Sequence, residues 1–280
     1  MYLKSHAKIN LAINIKGKKE DGYHDLDMIM LPLKLFDFIE IDRLNYKDTY
    51  IVCDEIDSLS GKYNLVNDTI SLLRKKYGFD TNYLVKIHKE IPIKAGLGGG
   101  SSNAAAVLKA VVKDNKIDAT TDELIELSKS IGADVPYFLY NQPARVEGIG
   151  EKVTPIKIKH KYYVLLVKPD EGLATKLVFD ECDAHEKKFT DIDALIDALA
   201  NGDEDKIAAL MYNALEDAAM SLLPEIKKIK DSLKEDGLNM VMMSGSGSCV
   251  YALSKSWLKL ARLKPKYEKL GYEVVLTKIL

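Results

Sequence analysis

Residues 92–105 read PIKAGLGGGSSNAA, and the reading of this stretch decides the fold. Gly96, Gly98, Gly99 and Gly100 surround Leu97, Ser101 and Ser102 follow, and an alanine-rich run begins within three residues. Glycine reaches positive φ without strain and lets a ligand approach the main chain, because it has no Cβ. A helix that starts directly afterwards turns its unpaired N–H groups and the positive end of its dipole back on the loop. Together these features form a cradle for phosphate. A flexible Gly/Ser linker is the rival reading. The flanks oppose it. Tyr83, Val85 and Ile87 alternate with Leu84, Lys86 and His88 as in a strand that runs up to Pro92. Ala104, Val107, Leu108, Val111 and Val112 share one helical face beyond the loop. Strand, glycine loop and helix in this order favour an anion-binding loop. It is neither of the common ones: GxxxxGK[ST] is absent, and GxGxxG fails at its third glycine.

Further strands are expected over Lys8–Ile15, Met28–Leu35, Phe38–Ile41 and Tyr50–Cys53, and a helix over Val66–Tyr77 that Gly78 ends. In the first strand Ile9, Leu11, Ile13 and Ile15 are expected on one face, with Lys8, Asn10 and Asn14 on the other. Thr120 and Glu123 form a capping box for a helix stopped by Gly132, which leaves Asp134 at a helix exit. The run KVTPIKIKHK (residues 152–161) reads as a seam between two domains, 1–155 and 156–280. Past the seam, strands are expected at Tyr162–Val167, Met240–Met243, Val250–Leu253 and Glu273–Lys278. Helices are expected at Asp191–Ala200, Asp203–Ala219, Pro224–Glu235 and Trp257–Leu270. The fold class is α+β in two domains.

Composition narrows the function. An apolar fraction of 47% over 280 residues can bury a substantial core, as a globular protein does. A net charge of -2 argues against a general nucleic-acid binder. Cys53, Cys182 and Cys249 lie too far apart for a metal pattern or a disulfide framework and suit a reducing cytoplasm. Neither a signal peptide nor an apolar run of membrane-spanning length is recognisable, so no membrane partner is expected.

Lys8 with Asn10, Tyr23 with His24, the glycine loop and Asp134 are each weak signals with ordinary structural readings. Together they match the needs of phosphoryl transfer: a phosphate cradle, a cation, and a carboxylate that orients the acceptor hydroxyl.

The chain resembles the small-molecule kinases of the GHMP superfamily through AKINL (7–11), DGYH (21–24), PIKAGLGGGSSNAA (92–105), GADVP (132–136), EGIGE (147–151) and SGSGSC (244–249), in the family's order. AKINL, DGYH and GADVP point within it to the branch whose acceptor is a cytidine-diphosphate ester of 2-C-methyl-D-erythritol, phosphorylated at its 2-hydroxyl in the non-mevalonate isoprenoid route. A kinase of a mevalonate- or homoserine-type alcohol, and a non-catalytic nucleotide-binding module, are the alternatives. The resemblance implies a ribosomal-S5-like amino-terminal domain, a ferredoxin-like carboxy-terminal one, and ATP with Mg²⁺ as cofactors. It implies catalytic roles for Lys8 and Asp134. ATP contacts would come from Asn64, Pro92, Gly96, Leu97, Gly98, Gly99, Gly100, Ser101 and Ser102, with Ser102 the candidate metal ligand. Asn10, Tyr23, His24 and Phe179 would contact the substrate, and Lys94 would point to solvent.

Overall fold

The structure is a computed structural model, and residues 1–20, 22–53, 60–61, 64–184 and 188–280 are described. Asp21, the first residue of DGYH, lies outside them. Two sheets pack together. The first holds β1 (Tyr2–Lys18), β2 (His24–Leu44), β3 (Tyr50–Cys53), β4 (Asn82–His88), β5 (Ala144–Gly148), β6 (Lys152–Pro155) and β8 (Tyr212–Asn213). Its order is β3-β4-β2-β1-β8, with β5 on β2 and β6 on β5. The second holds β7 (Tyr163–Lys168), β9 (Val241–Met243), β10 (Val250–Ser254) and β11 (Glu273–Lys278) in the antiparallel order β11-β7-β10-β9. With helices between β7 and β9 and between β10 and β11, this is a ferredoxin-like sheet.

Two strands expected between residues 28 and 41 are one. β2 runs unbroken for 21 residues, pairing β1 along one side and β5 and then β4 along the other. β1 also departs from its expected single apolar face. A register shift between Asn10 and Ala12 turns the side chains over, so Ile9 and Leu11 pack in one core and Ile13 and Ile15 in the other. The polar face is not solvated either: Lys8, Asn10 and Asn14 are all buried. β1 is a central strand with a layer on each side. Its second layer comes from the other sheet, where Val164, Leu166 and Tyr251 meet Ile9 and Leu11, and the Tyr251 hydroxyl donates to the Asn10 carbonyl at 2.7 Å.

The helices α1 (Leu65–Tyr77), α2 (Gly99–Asp114), α3 (Thr121–Lys129) and α4 (Val135–Tyr140) belong to the first half. The capping box at Thr120 and Glu123 is present in full, and Gly78 ends α1 in the left-handed region. In the second half come α5 (Thr175–Cys182), α6 (Ile192–Asn201), α7 (Glu204–Leu210), α8 (Glu216–Leu222), α9 (Glu225–Glu235) and α10 (Trp257–Lys269). None of the described helices is long and apolar enough to cross a membrane.

The helix expected over Asp203–Ala219 is interrupted. Between α7 and α8 the chain leaves helical geometry to form β8, which pairs with Ala12 and Ile13 of β1. Buried Asn213 enforces the break. Its amide donates to the carbonyls of Met243 (3.0 Å) and Gly245 (2.8 Å), and its oxygen accepts from Leu215 N at 3.0 Å. Asn213→Ala removes all three bonds from a site closed to water and should cost about 2–4 kcal/mol. A urea unfolding curve measures this; an unchanged midpoint would mean that β8 is held by something else.

Candidate active site

A cleft of about 620 Å³ opens where the two sheets meet. Its floor is the glycine loop, and α2 begins inside that loop. Gly98 occupies the left-handed region at φ 71° and precedes the first helical residue. The first main-chain bond of the helix runs from Ser102 N to Gly98 O at 2.9 Å. The N–H groups of Gly99, Gly100 and Ser101 therefore have no acceptor within the helix.

The glycines differ in what they do. A Cβ on Gly96, at φ 71°, would lie 1.9 Å from the Ser244 carbonyl oxygen, and one on Gly98 would lie 2.8 Å from the Phe138 ring. These two allow close packing. A Cβ on Gly100 would meet nothing nearer than Leu65 at 3.7 Å, so this glycine leaves open space on the loop.

Lys8 reaches the loop from β1. Its ammonium donates to Asn10 Oδ1 at 2.5 Å and to the Gly96 carbonyl at 2.9 Å, and lies 3.8 Å from Asp134 Oδ2. Burial pulls its pKa below the usual lysine value, and the charge of Asp134 opposes that shift. Asp134 is not at a helix exit alone. It stands at the N-cap position of the short helix α4, which has a proline at its start. Tyr137, one turn into α4, is fully buried, and its hydroxyl has no hydrogen-bond partner. Burial first, and the Asp134 charge second, push its pKa well up.

SGSGSC braces the loop from the other sheet. Ser244 Oγ donates to the Gly96 carbonyl at 3.0 Å, and Ser248 N donates to the Lys94 carbonyl at 3.3 Å. Lys94 is exposed, with φ 50°, and packs its stem against Gly172.

Of the expected site residues, Lys8, Asn10, Asn64, Pro92, Gly96, Leu97, Gly98, Gly99, Gly100, Ser101, Asp134 and Phe179 line this cleft. Asn64 also caps α1, its side chain accepting from Val66 N at 2.9 Å. Ser102 does not line the cleft. It is buried and faces a separate groove, because one step along a helix rotates a side chain by about 100°. Tyr23 is 55% exposed, and neither it nor His24 lines the cleft. His24 is buried beside it, with its ring stacked on Phe179 at 4.7 Å between centroids and its Nε2 2.8 Å from Asp183 Oδ1. Asp183 also accepts from Lys18 at 2.7 Å; that ammonium and then His24 hold its pKa at about 2.

Besides Lys8 and Lys94, a further cation lines the cleft. Lys89, nearly buried, is ion-paired with fully buried Asp37, which also accepts from Glu90 N (2.9 Å) and Ile91 N (2.8 Å). Lys89 Nζ lies 3.1 Å from where a Cβ on Gly99 would stand. Its signal was the carboxylate in LFDFI: an Asp inside an apolar strand needs a buried partner. Among the described residues no three His, Cys, Asp or Glu side chains gather as a metal site.

Comparison with known proteins places this geometry. The model of the GHMP kinases N terminal domain matches residues 64–142, and that of the GHMP kinases C terminal domain matches residues 195–271. The fold is thus that of the GHMP class of small-molecule kinases. The 4-diphosphocytidyl-2-C-methyl-D-erythritol kinase of Clostridium perfringens (strain 13 / Type A) is 37% identical over 96% of this chain and 95% of its own. That of Clostridium kluyveri (strain ATCC 8527) is 39% identical over 96% and 98%. A crystal structure of 4-(cytidine 5'-diphospho)-2C-methyl-D-erythritol kinase superposes with a TM-score of 0.81 at 27% identity, covering 100% of this chain and 99% of the other. Homoserine kinase from Cytophaga hutchinsonii shares the fold, with a TM-score of 0.75 at 16% identity, over 100% and 94%. The chain belongs to the 4-diphosphocytidyl-2-C-methyl-D-erythritol kinase family.

The contrast between glycines is testable by thermal melting. Gly96→Ala combines a disfavoured backbone with a backbone collision and should lose at least about 2 kcal/mol. Gly100→Ala should be neutral or gain up to about 1 kcal/mol, as alanine does within a helix. Equal losses at the two positions would contradict this division.

Proposed function

We propose that the protein transfers the γ-phosphate of ATP to the 2-hydroxyl of 4-diphosphocytidyl-2-C-methyl-D-erythritol. One observation carries the reading of the site. A buried lysine and a partly exposed carboxylate stand 3.8 Å apart in one cleft with a helix N-terminus whose N–H groups lack intrahelical partners. That arrangement supplies what phosphoryl transfer needs on both sides of the moving group.

In this reading Asp134 accepts a hydrogen bond from the acceptor hydroxyl, aims it and receives its proton as the new P–O bond forms and ADP leaves. A tertiary alcohol is too weak an acid to ionise beforehand, so orientation and charge stabilisation dominate. Lys8 is fixed by Asn10 and Gly96 and offsets negative charge on the acceptor oxygen. The first turn of α2 and Lys89 face the donor's phosphates. Asn64 and Pro92, which line the same cleft, serve the rest of the nucleotide.

Mg²⁺ suits a site of this composition only as an ion that arrives with the phosphates. Among the described residues the cleft lining offers one carboxylate, Asp134, and, on the glycine loop itself, the Ser101 hydroxyl, with Thr175 and Ser246 coming from other elements. Asp134 and Ser101 would hold it in place of Ser102, and the ion would supply charge neutralisation. Phe179 and His24 form the cytidine end, with Phe179 as the face that a base can stack on. Tyr23, exposed and next to His24 in the chain, would close over the base when substrate binds. Cys53, Cys182 and Cys249 are buried thiols, in keeping with a cytoplasmic setting.

An ADP-release assay over an alcohol panel tests the substrate. The cytidine diphosphate ester should turn over with MgATP, while mevalonate and homoserine should be inert; preference for either of these would overturn the proposal. Asp134→Asn should lower kcat by about two to four orders of magnitude while ATP binding persists. Unchanged kcat would remove Asp134 from the chemistry. Phe179→Ala should weaken substrate binding by about 1–3 kcal/mol through lost stacking. An equal loss of ATP affinity would move Phe179 out of the cytidine end.

A further inference from the structure

A different face of α2 bounds a second groove of about 360 Å³. Ser102, Ala106, Lys109, Ala110 and Lys113 recur along it at helical spacing. Its opposite wall is the start of β1, Tyr2–His6. β1 is paired with β2 on one side and, on the other, with β8 at Ala12 and Ile13 alone, so among the described residues no strand covers this edge. Phe138 and Asn141 close the end of the groove.

The charge of the lining is one-sided. Lys4, His6, Lys109 and Lys113 line the groove, and among the described residues no Asp or Glu does. Elsewhere the molecule pairs such lysines: Lys89 with Asp37, Lys230 with Glu216, Lys16 with Asp27. Here it does not. Lys4 sits over the Phe36 ring, 4.5 Å from its centroid. Lys109 donates to the carbonyls of Phe138 (3.1 Å) and Leu139 (2.9 Å), which leaves one N–H of its three. Burial, with the Lys4 and Lys34 charges adding to it, holds His6 below its usual pKa, against the Leu33 carbonyl that its Nδ1 contacts. Between the cations the floor is apolar, made by Leu3, Ala106, Ala110 and Phe138. Asn141 Oδ1 is buried beside the groove and accepts no hydrogen bond among the described residues.

We propose that this groove binds an amphipathic organic anion, its charged group held among Lys4, Lys109 and Lys113 and its apolar body laid on Leu3, Ala106 and Phe138. The proposal stands apart from the kinase reading, since it uses none of the cleft residues.

Hexyl phosphate is a suitable probe, titrated calorimetrically into protein whose cleft is already filled with a non-hydrolysable ATP analogue. One site should bind it more tightly than it binds hexanol or inorganic phosphate alone. Lys4→Gln together with Lys113→Gln should weaken it at least about fivefold, since two of the three ammonium groups that hold the anion are lost. Both lysines are exposed and hold no ion pair among the described residues, and an unchanged melting curve of the variant would exclude unfolding as the cause. The proposal falls if hexyl phosphate fails to bind once the cleft is filled, or if the variant binds it equally well. It falls too if an extended acidic peptide binds this edge while hexyl phosphate does not, which would make the groove a strand-addition site.

Discussion

The carbonyl of Gly96 is the point on which the structure depends. It accepts from the Lys8 ammonium on β1 and from the Ser244 hydroxyl of the second sheet, and it lies in the loop that starts α2. Three parts distant in sequence thus share one acceptor atom. A side chain at residue 96 would occupy the position of the Ser244 carbonyl, so the contact exists only with glycine there. The glycine-rich composition of the loop therefore has two causes. Gly96 and Gly98 answer the packing of the protein on itself, whereas Gly100 leaves room for something else.

This junction also sets the electrostatics of the cleft. Lys8 is drawn out of water, which disfavours its charge, and the surrounding oxygens of Gly96, Asn10 and Asp134 compensate. A cation so held needs little rearrangement when negative charge develops beside it, which is the condition for efficient stabilisation of a transition state. Lys89 is fixed by Asp37 in the same manner on the other side of the loop. Asn213 and Glu216 secure the opposite end of the brace, since both bond to the main chain at Met243, directly before SGSGSC.

Features with local causes were legible in the sequence. The glycine loop with its flanking strand and helix, the capping box at Thr120, and the stop at Gly78 depend on neighbours within a few residues. Lys8, Asn10 and Asp134 could be singled out because their residue types matched one chemistry, and the structure brings them to one cleft. What escaped was decided by distant contacts. The turnover of faces within β1 follows from a register shift against β2, which no alternation pattern contains. The interruption at Tyr212–Asn213 follows from carbonyls some thirty residues away. Lys89 is held at the cleft by Asp37, 52 positions earlier, a pairing that no local pattern contains. The side of α2 that Ser102 occupies depended on where the helix began, and the helix began inside the glycines rather than after them.

Phosphorus NMR of the reaction mixture is the most direct test of the account. With MgATP and 4-diphosphocytidyl-2-C-methyl-D-erythritol the account predicts one new phosphomonoester resonance alongside ADP. Because carbon 2 of the acceptor bears no hydrogen, that signal should show no three-bond splitting by a proton. A split signal would mean transfer to another hydroxyl. Inorganic phosphate in place of an ester would mean that the cleft does not hold this acceptor over the loop at all.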